Sequence, residues 1–464
     1  MPRQVNQVKL GNKFLHDDAH RESHDRCLWA ARLRRDAKTH SIPRWEEMRL
    51  LASQIKMHTL THLDEYLEQF ERNATANGIH VHWAIDAAEH NSIVASIMAE
   101  HNVKVVTKGK SMLMDECGLT PYLAERGIEV YEADLGERIQ QLDRQRPSHI
   151  VMPAIHKLRS DVARLFADKL GSDPDNDDPK YLNSVMRADM RRNYRRVDCG
   201  MNGVNFAIAE TGGIVVCTNE GNADISANVP PLFIASMGIE KLIPRKADLG
   251  LFVRMLSRNA LGFDITQFTS HYHGPRKGQE MHIVIVDNGR STRLCNDYWE
   301  VLKCIRCGAC MNTCPVFRRT SGISYDAPYM GPLGIVLEPS YDLYKYARLP
   351  YSCTHCGSCG AVCPVKVPLP DLIFYWRDVV VDHGYDEKMH RLEMDVAKMA
   401  LKDATSLSRM EKLGLTALRY LPRAVAEMPL NPWARYHTNP EPPAYTFRQY
   451  YRKNMQPGQE QTEK

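Results

Sequence analysis

Cys304-Ile305-Arg306-Cys307-Gly308-Ala309-Cys310-Met311-Asn312-Thr313-Cys314-Pro315 returns in outline as Cys353-Thr354-His355-Cys356-Gly357-Ser358-Cys359-Gly360-Ala361-Val362-Cys363-Pro364. Both runs read C-x2-C-x2-C-x3-C-P and together hold eight of the thirteen cysteines. No other feature constrains the fold as strongly, because each set of thiols must converge on a common centre. The pattern is that of paired 4Fe–4S clusters, in which three closely spaced cysteines wrap three corners of a cube. The fourth, before the proline, reaches the other cube in two-cluster proteins. The expected sets are therefore Cys304, Cys307, Cys310 and Cys363 for one cluster, and Cys314, Cys353, Cys356 and Cys359 for the other.

Zinc and disulfides are the alternatives. Zinc sites pair cysteines in separated C-x2-4-C units rather than triplets ending in C-P. Disulfides need an oxidising compartment, and the first residues, Met1-Pro2-Arg3-Gln4-Val5-Asn6-Gln7, hold no apolar signal core. The remaining cysteines, Cys27, Cys117, Cys199, Cys217 and Cys295, are expected to be small buried side chains.

A length of 464 residues allows two to four domains. A net charge of +4 offers no case for nucleic acid. No apolar run of the length a membrane span needs occurs, so no integral membrane segment is expected. The expected location is the cytoplasm, with any contact at the inner face of the membrane made through partners.

Four segments follow from the pattern along the chain. Residues 1–75 are charged and helix-forming, with a break at Ser41-Ile42-Pro43, and should pack on the next domain or offer a docking surface. Residues 76–290 alternate strands and helices, which argues an α/β domain with a mainly parallel sheet. Its expected strands include Ile79–Ala84, Lys104–Thr107, Ile128–Ala133, His149–Pro153, Phe206–Glu210, Ile214–Cys217, Lys241–Pro244 and His282–Val286. Residues 291–375 form an α-helical two-cluster ferredoxin-like domain. Residues 376–464 are a helical region and a proline-rich tail, with Pro429, Pro432, Pro440, Pro442 and Pro443 and anchors at Trp433, Tyr445, Phe447, Tyr450 and Tyr451, expected to lie extended.

Two sites outside the cysteines are candidates. Lys108-Gly109-Lys110-Ser111 follows a strand, but position 104 is lysine where a P-loop needs its first glycine, so a nucleotide site is disfavoured. Lys108, Lys110 and Ser111 remain candidates for holding an anion such as a carboxylate, against the alternative of an ordinary strand–helix turn. Glu210-Thr211-Gly212-Gly213 sets a carboxylate before two glycines, where a ligand can approach the backbone. Glu210 is a candidate base, and Glu220, Gly221, Asn222, His156 and Arg159 are candidates for the same cleft. The alternative is a turn with a solvated glutamate. No dinucleotide or flavin fingerprint accompanies them.

Taken together, Thr107-Lys108-Gly109-Lys110-Ser111-Met112, Ala209-Glu210-Thr211-Gly212-Gly213, the double cysteine motif, Asn431-Pro432-Trp433 and Thr446-Phe447-Arg448 resemble the lactate utilisation protein B family over nearly the whole chain. The resemblance implies a lactate-utilisation domain related to the sugar-phosphate isomerase and CoA-transferase fold. It implies two 4Fe–4S clusters and a role in oxidising L-lactate to pyruvate. It also implies two companion proteins, one with cysteine-rich repeats and one a lone lactate-utilisation domain. In the related CoA-transferases a glutamate is the nucleophile; that chemistry is not carried to Glu210, because no CoA-binding signal is present. The expectation is an electron-transfer component of an L-lactate dehydrogenase complex. The competing reading is a catalytic subunit that oxidises a hydroxy acid in the α/β cleft, and a weaker one is a cluster-containing regulatory protein.

Overall fold

In the computed structural model, residues 3–422, 425, 427, 428 and 441–454 are described. The prolines 429, 432 and 440 and the Asn431-Pro432-Trp433 run lie outside them. The chain forms two compact units, Met1–Tyr385 and Asp386–Lys464.

The core of the first unit is a six-stranded, wholly parallel sheet in the order β1-β10-β7-β4-β2-β3. The strands are β1 His80–Ala84, β2 Val105–Lys108, β3 Glu129–Glu132, β4 Cys199–Gly203, β7 Leu232–Gly238 and β10 Glu280–Val286. A sheet covered on both faces favours continuous apolar runs over alternation. Leu232-Phe233-Ile234-Ala235-Ser236-Met237-Gly238 is such a run, and all seven residues are buried. A second sheet, in the order β8-β5-β6-β9, packs beside the first. Its strands are β5 Phe206–Ile208, β6 Gly213–Thr218, β8 Leu242–Ile243 and β9 Phe268–Tyr272.

Three strands, β4, β7 and β9, are absent from the sequence expectation. β4 carries two glycines and an asparagine, which weaken a strand signal. Gly200 is there for packing: a Cβ on it would lie 1.6 Å from the Ser226 carbonyl oxygen, so only glycine lets the helix Asn222–Asn228 lie this close. Conversely, His149–Pro153 is not a strand but a run of bends and turns. Buried His149 organises it: Val151 N–H and Met152 N–H donate to Nδ1, and Nε2 lies 3.0 Å from Asn312 Oδ1 inside the first cysteine run. The apolar side chains here cover the cysteine loop instead of joining a sheet.

Four helices precede the sheet: α1 Gln7–Leu15, α2 Asp18–His40, α3 Trp45–Thr61 and α4 Leu63–Ala76. Asn6 and Asp17 cap the first two by accepting from Lys9 N–H and His20 N–H. α2 and α3 pack on the α/β domain and also on the cysteine-bearing region. Arg35 Nη2 donates to Val362 O at 3.2 Å, and Arg49 donates to Cys363 O at 2.9 Å and Gly360 O at 3.3 Å. The cysteine region is made of short helices and turns, as the helical expectation required.

Within the second unit, Lys388–Leu401 and Ala404–Tyr420 are helices that pack together. Phe447–Asn454 is also helical, where an extended tail was expected. Thr446 starts it, its hydroxyl accepting from Gln449 N–H, so local capping overrides the proline-rich composition just before it. Arg448 Nη1 donates to Ala404 O at 2.9 Å.

Candidate cluster centre and adjoining cavity

Each cysteine run folds in the same way. Arg306 and His355, the second spacers of the first C-x-x-C of each run, take left-handed backbone angles, φ 61° and 52°. Gly308 and Gly357 follow at φ 76° and 75° and cap the short helices Ala309–Thr313 and Ser358–Val362. This winding turns backbone amides toward sulfur. Arg306 N–H donates to Cys304 Sγ at 3.4 Å, His355 N–H to Cys353 Sγ at 3.3 Å, and Val367 N–H to Cys363 Sγ at 3.2 Å.

Cys304, Cys307, Cys310 and Cys363 line one small cavity, closed by the apolar side chains of Ile305, Leu333, Val365 and Leu369. Cys314 stands apart from its own run. The thiols that act on its charge are Cys353 and Cys356, and those that act on Cys359 are Cys353, Cys314 and Cys356, while Cys359 also acts on Cys310 of the other set. Burial pushes the Cys314 and Cys363 thiols up to about 11 and Cys359 up to about 12, and neighbouring thiols add to the effect. All thirteen cysteines are free of disulfides. Crowded thiols that burial keeps neutral, with amides already aimed at sulfur, fit an iron–sulfur cluster, which supplies the positive charge that thiolates need. The two centres differ in exposure. In the first, Cys307 and Cys363 are buried and Cys304 and Cys310 half-buried; in the second, Cys359 is buried, Cys314 and Cys353 are half-buried, and Cys356 is exposed, as is Thr354. Of the five remaining cysteines, Cys117 and Cys199 are buried as expected, but Cys27 and Cys295 are exposed and Cys217 is half-buried. Cys27 lies on helix α2 off the face that His24, Leu28, Ala31 and Arg35 bury.

On the other side of the first cysteine loop lies a cavity of about 540 Å³. It forms at the C-terminal ends of β4 and β7, where parallel sheets characteristically hold ligands. Cys307 borders both this cavity and the small one lined by four cysteines. Between sheet and loop runs a buried charge network. Arg290 makes a bidentate pair with Glu116 at 2.9 and 3.0 Å and donates Nε to Glu240 at 2.6 Å. Arg306 Nη2 reaches Glu240 Oε1 at 3.5 Å, and the Tyr329 hydroxyl donates to Glu116 at 2.6 Å. Lys56 of α3 donates to Glu240 O and Leu242 O. Burial alone would raise the Glu240 carboxyl, but Arg290 and Arg306 outweigh it and hold the group down to about 2.

The candidate anion residues separate. Lys108 is fully buried among Asp115, Glu132 and Glu137 at 3.2, 2.9 and 3.5 Å, and these carboxylates outweigh burial and raise its pKa well above the usual value. It is part of an ion-pair core and does not face the cavity. Lys110 and Ser111 do line the cavity. Lys110 is paired with Asp134 at 3.3 Å and Val151 O at 3.1 Å, and Ser111 caps Met112–Glu116.

Glu210 is exposed and is not among the cavity-lining residues. Its carboxylate accepts from Lys246 N–H at 2.8 Å, at the start of the helix Lys246–Leu261. What approaches the Gly212-Gly213 turn is helix α4. A Cβ on Gly212 would lie 2.2 Å from Ala74 N, and Asn73 and Asn77 donate to the carbonyls of residues 209–211. Of the companions grouped with Glu210, Glu220 and Asn222 line the cavity, while His156 and Arg159 do not. His156 instead sits 2.6 Å from Ser148 Oγ. Lys241, Arg306 and Asn202 line the cavity without having been singled out. Only Arg306 carried a signal, as the charged spacer within a cysteine run.

A family model for the LUD domain matches residues 67–292, and one for the 4Fe-4S dicluster domain matches residues 300–367. Lactate utilization protein B of Bacillus cytotoxicus is 38% identical over 428 residues, covering 89% of this chain and 90% of that protein. The protein of the same name from Geobacillus thermodenitrificans is 38% identical, covering 92% of each chain. That of Bacillus cereus is 37% identical, covering 89% of this chain and 90% of its own.

Proposed function

The chain belongs to the lactate utilization protein B family and carries two 4Fe–4S clusters, and from that premise we propose that it is the electron-transfer subunit of a system that oxidises L-lactate to pyruvate. The observation that carries this reading is the placement of the cysteines: one set of four lines an apolar-walled pocket and meets the large cavity at Cys307, and the other reaches the surface at Cys356. The proposed ligand sets are Cys304, Cys307, Cys310 and Cys363 for the inner cluster, and Cys314, Cys353, Cys356 and Cys359 for the outer one. The clusters supply one-electron acceptance and donation.

The chain's own residues arrange this. Arg306, Val367 and His355 point amide N–H groups at sulfur, which stabilises thiolate charge. Leu333, Val365 and Leu369 keep water from the inner set. Residues 76–290 serve as the lactate-linked module and residues 291–375 as the wire. Companion subunits, one with cysteine-rich repeats and one a lone lactate-utilisation domain, would act as source or sink of electrons. No described helix is long and apolar enough to cross a membrane, so any membrane contact would run through such partners. No catalytic step is assigned to Glu210.

The test is iron content and cluster reduction. Anaerobically purified protein should carry about eight irons per chain, and L-lactate should reduce its clusters once the companions are added. An iron content near four would sink the two-cluster reading. Clusters that stay oxidised in the complete system would sink the electron-transfer reading.

A further inference from the structure

The large cavity has unfinished chemistry of two kinds. The first is cationic. Lys241 lines it, and its ammonium makes no hydrogen bond or ion pair among the described residues. Arg306 lines it too; its Nη2 pairs with Glu240 at 3.5 Å and its guanidinium lies over the Tyr329 ring, but its Nη1 is buried without a hydrogen-bond partner. These two cations stand close enough to repel one another. Lys110, the other cavity lysine, is already paired with Asp134.

The second kind is acceptor chemistry. Asn202 and Asn222 line the cavity at 1% and 8% exposure, and the amide oxygen of each accepts no hydrogen bond. Asn202 spends its Nδ2 on Ala223 O at 2.9 Å, and its Oδ1 packs against the backbone of Gly109, where an added Cβ would lie 2.1 Å from it, so the acceptor open to a ligand is that of Asn222. Buried polar groups are normally paired, so exceptions clustered in one cavity point to a missing ligand. An unpaired ammonium beside a half-satisfied guanidinium asks for an anion, and an unpaired acceptor asks for a hydroxyl or another donor. The volume, about 540 Å³, lies within the range of about 300–1,000 Å³ typical of small-molecule sites.

We propose that this cavity binds a hydroxy acid, its carboxylate received by Lys241 and Arg306 and its hydroxyl donated to Asn222. The bound acid lies against the wall formed by Arg306 and Cys307, on the opposite side of the loop from the inner cysteine set. The proposal deepens the lactate-linked reading, which supplies the choice of probe, whereas the chemical class comes from the cavity wall.

The experiment uses the anaerobic holoprotein, without companions, in equilibrium dialysis against labelled L-lactate. One saturable site per chain is expected. Propionate, which lacks the hydroxyl, and lactamide, which lacks the charge, should each compete about tenfold or more weakly. Lys241→Met and Asn222→Ala should each weaken lactate binding by about tenfold or more while iron content stays unchanged. If Lys241→Met loses iron, Asn222→Ala, on a different element, still decides the matter. Absence of a saturable site overturns the proposal, as does a site indifferent to both substitutions. A Lys241→Met protein whose cluster potentials shift, from a parent that binds no lactate, would assign the lysine to balancing thiolate charge and also overturn it. A chain that carries eight irons and is reduced with its companions, yet binds no hydroxy acid, fails here and leaves the electron-transfer reading standing.

Discussion

Glu240 is where the charges of the sheet domain and the first cysteine loop meet. Its two oxygens face Arg290 and Arg306, and all three side chains are buried. Removing one partner of such a pair leaves an uncompensated charge in the interior, at a cost of about 3–5 kcal/mol. Glu240→Ala should therefore lower stability by that order in denaturant unfolding of the holoprotein. Glu210 lies at the other extreme. It is exposed and makes one contact to a helix start, so Glu210→Gln should change stability by less than about 1 kcal/mol. The same variant should leave lactate-dependent cluster reduction in the assembled system unchanged; a large loss would restore a catalytic role. His156 gives a pH dependence. Burial lowers its pKa from 6.5 to about 3, with the Lys157 charge adding to the effect. The unfolded chain takes up the proton below about pH 6.5, the folded chain only near 3. Its contribution to stability is thus whole above 6.5 and lost progressively as pH falls toward 3. Thermal midpoints measured from pH 7 to 5 should fall less steeply in His156→Gln than in the parent.

Among the elements, α2 and α3 do more than cover the sheet. Their arginines hold carbonyls of the second cysteine run, including that of Cys363, which belongs to the inner set. Hydrogen bonds from charged donors contribute about 1.5–3 kcal/mol. Arg49→Ala should therefore speed iron loss from the inner set more than from the outer one, followed by absorbance under chelator. Equal loss from both would argue against this clamp. The sheet shows why sequence reading succeeds in part. β1, β2, β3 and β10 are short apolar or alternating runs bounded by polar turns, and they stand out. β4, with its glycines, is a strand because it pairs with β2 and β7 inside the sheet, and Gly200 leaves room for the helix Asn222–Asn228 to pack against it. His149–Pro153 has the composition of a strand, yet its apolar side chains are consumed by the cysteine loop. Short apolar runs carry no period that separates these outcomes.

For the molecule as a whole, the cysteine sets, the cavity and the charge network all lie within Met1–Tyr385. A chain ending at Tyr385 should retain about eight irons, and a drop in iron content would show that Asp386–Lys464 supports the clusters. The cysteine runs by themselves determined the cofactor and its number, and they motivate the crossed grouping of ligands proposed above, because thiol spacing limits which corners of a cube one loop can reach. The alternation of strands and helices determined a mainly parallel sheet. Only the tertiary structure decided that Cys356 of one set is exposed, while every cysteine of the other is buried or half-buried. It alone brought Lys241, Arg306, Asn202 and Asn222 to one cavity, and it placed Lys108 in an ion-pair core and Glu210 on the surface. The physical reason is the same in each case. Three cysteines of each proposed set are held together by covalent spacing within one short run, whereas a cavity lining is assembled from residues some 200 positions apart, whose meeting depends on how whole elements pack.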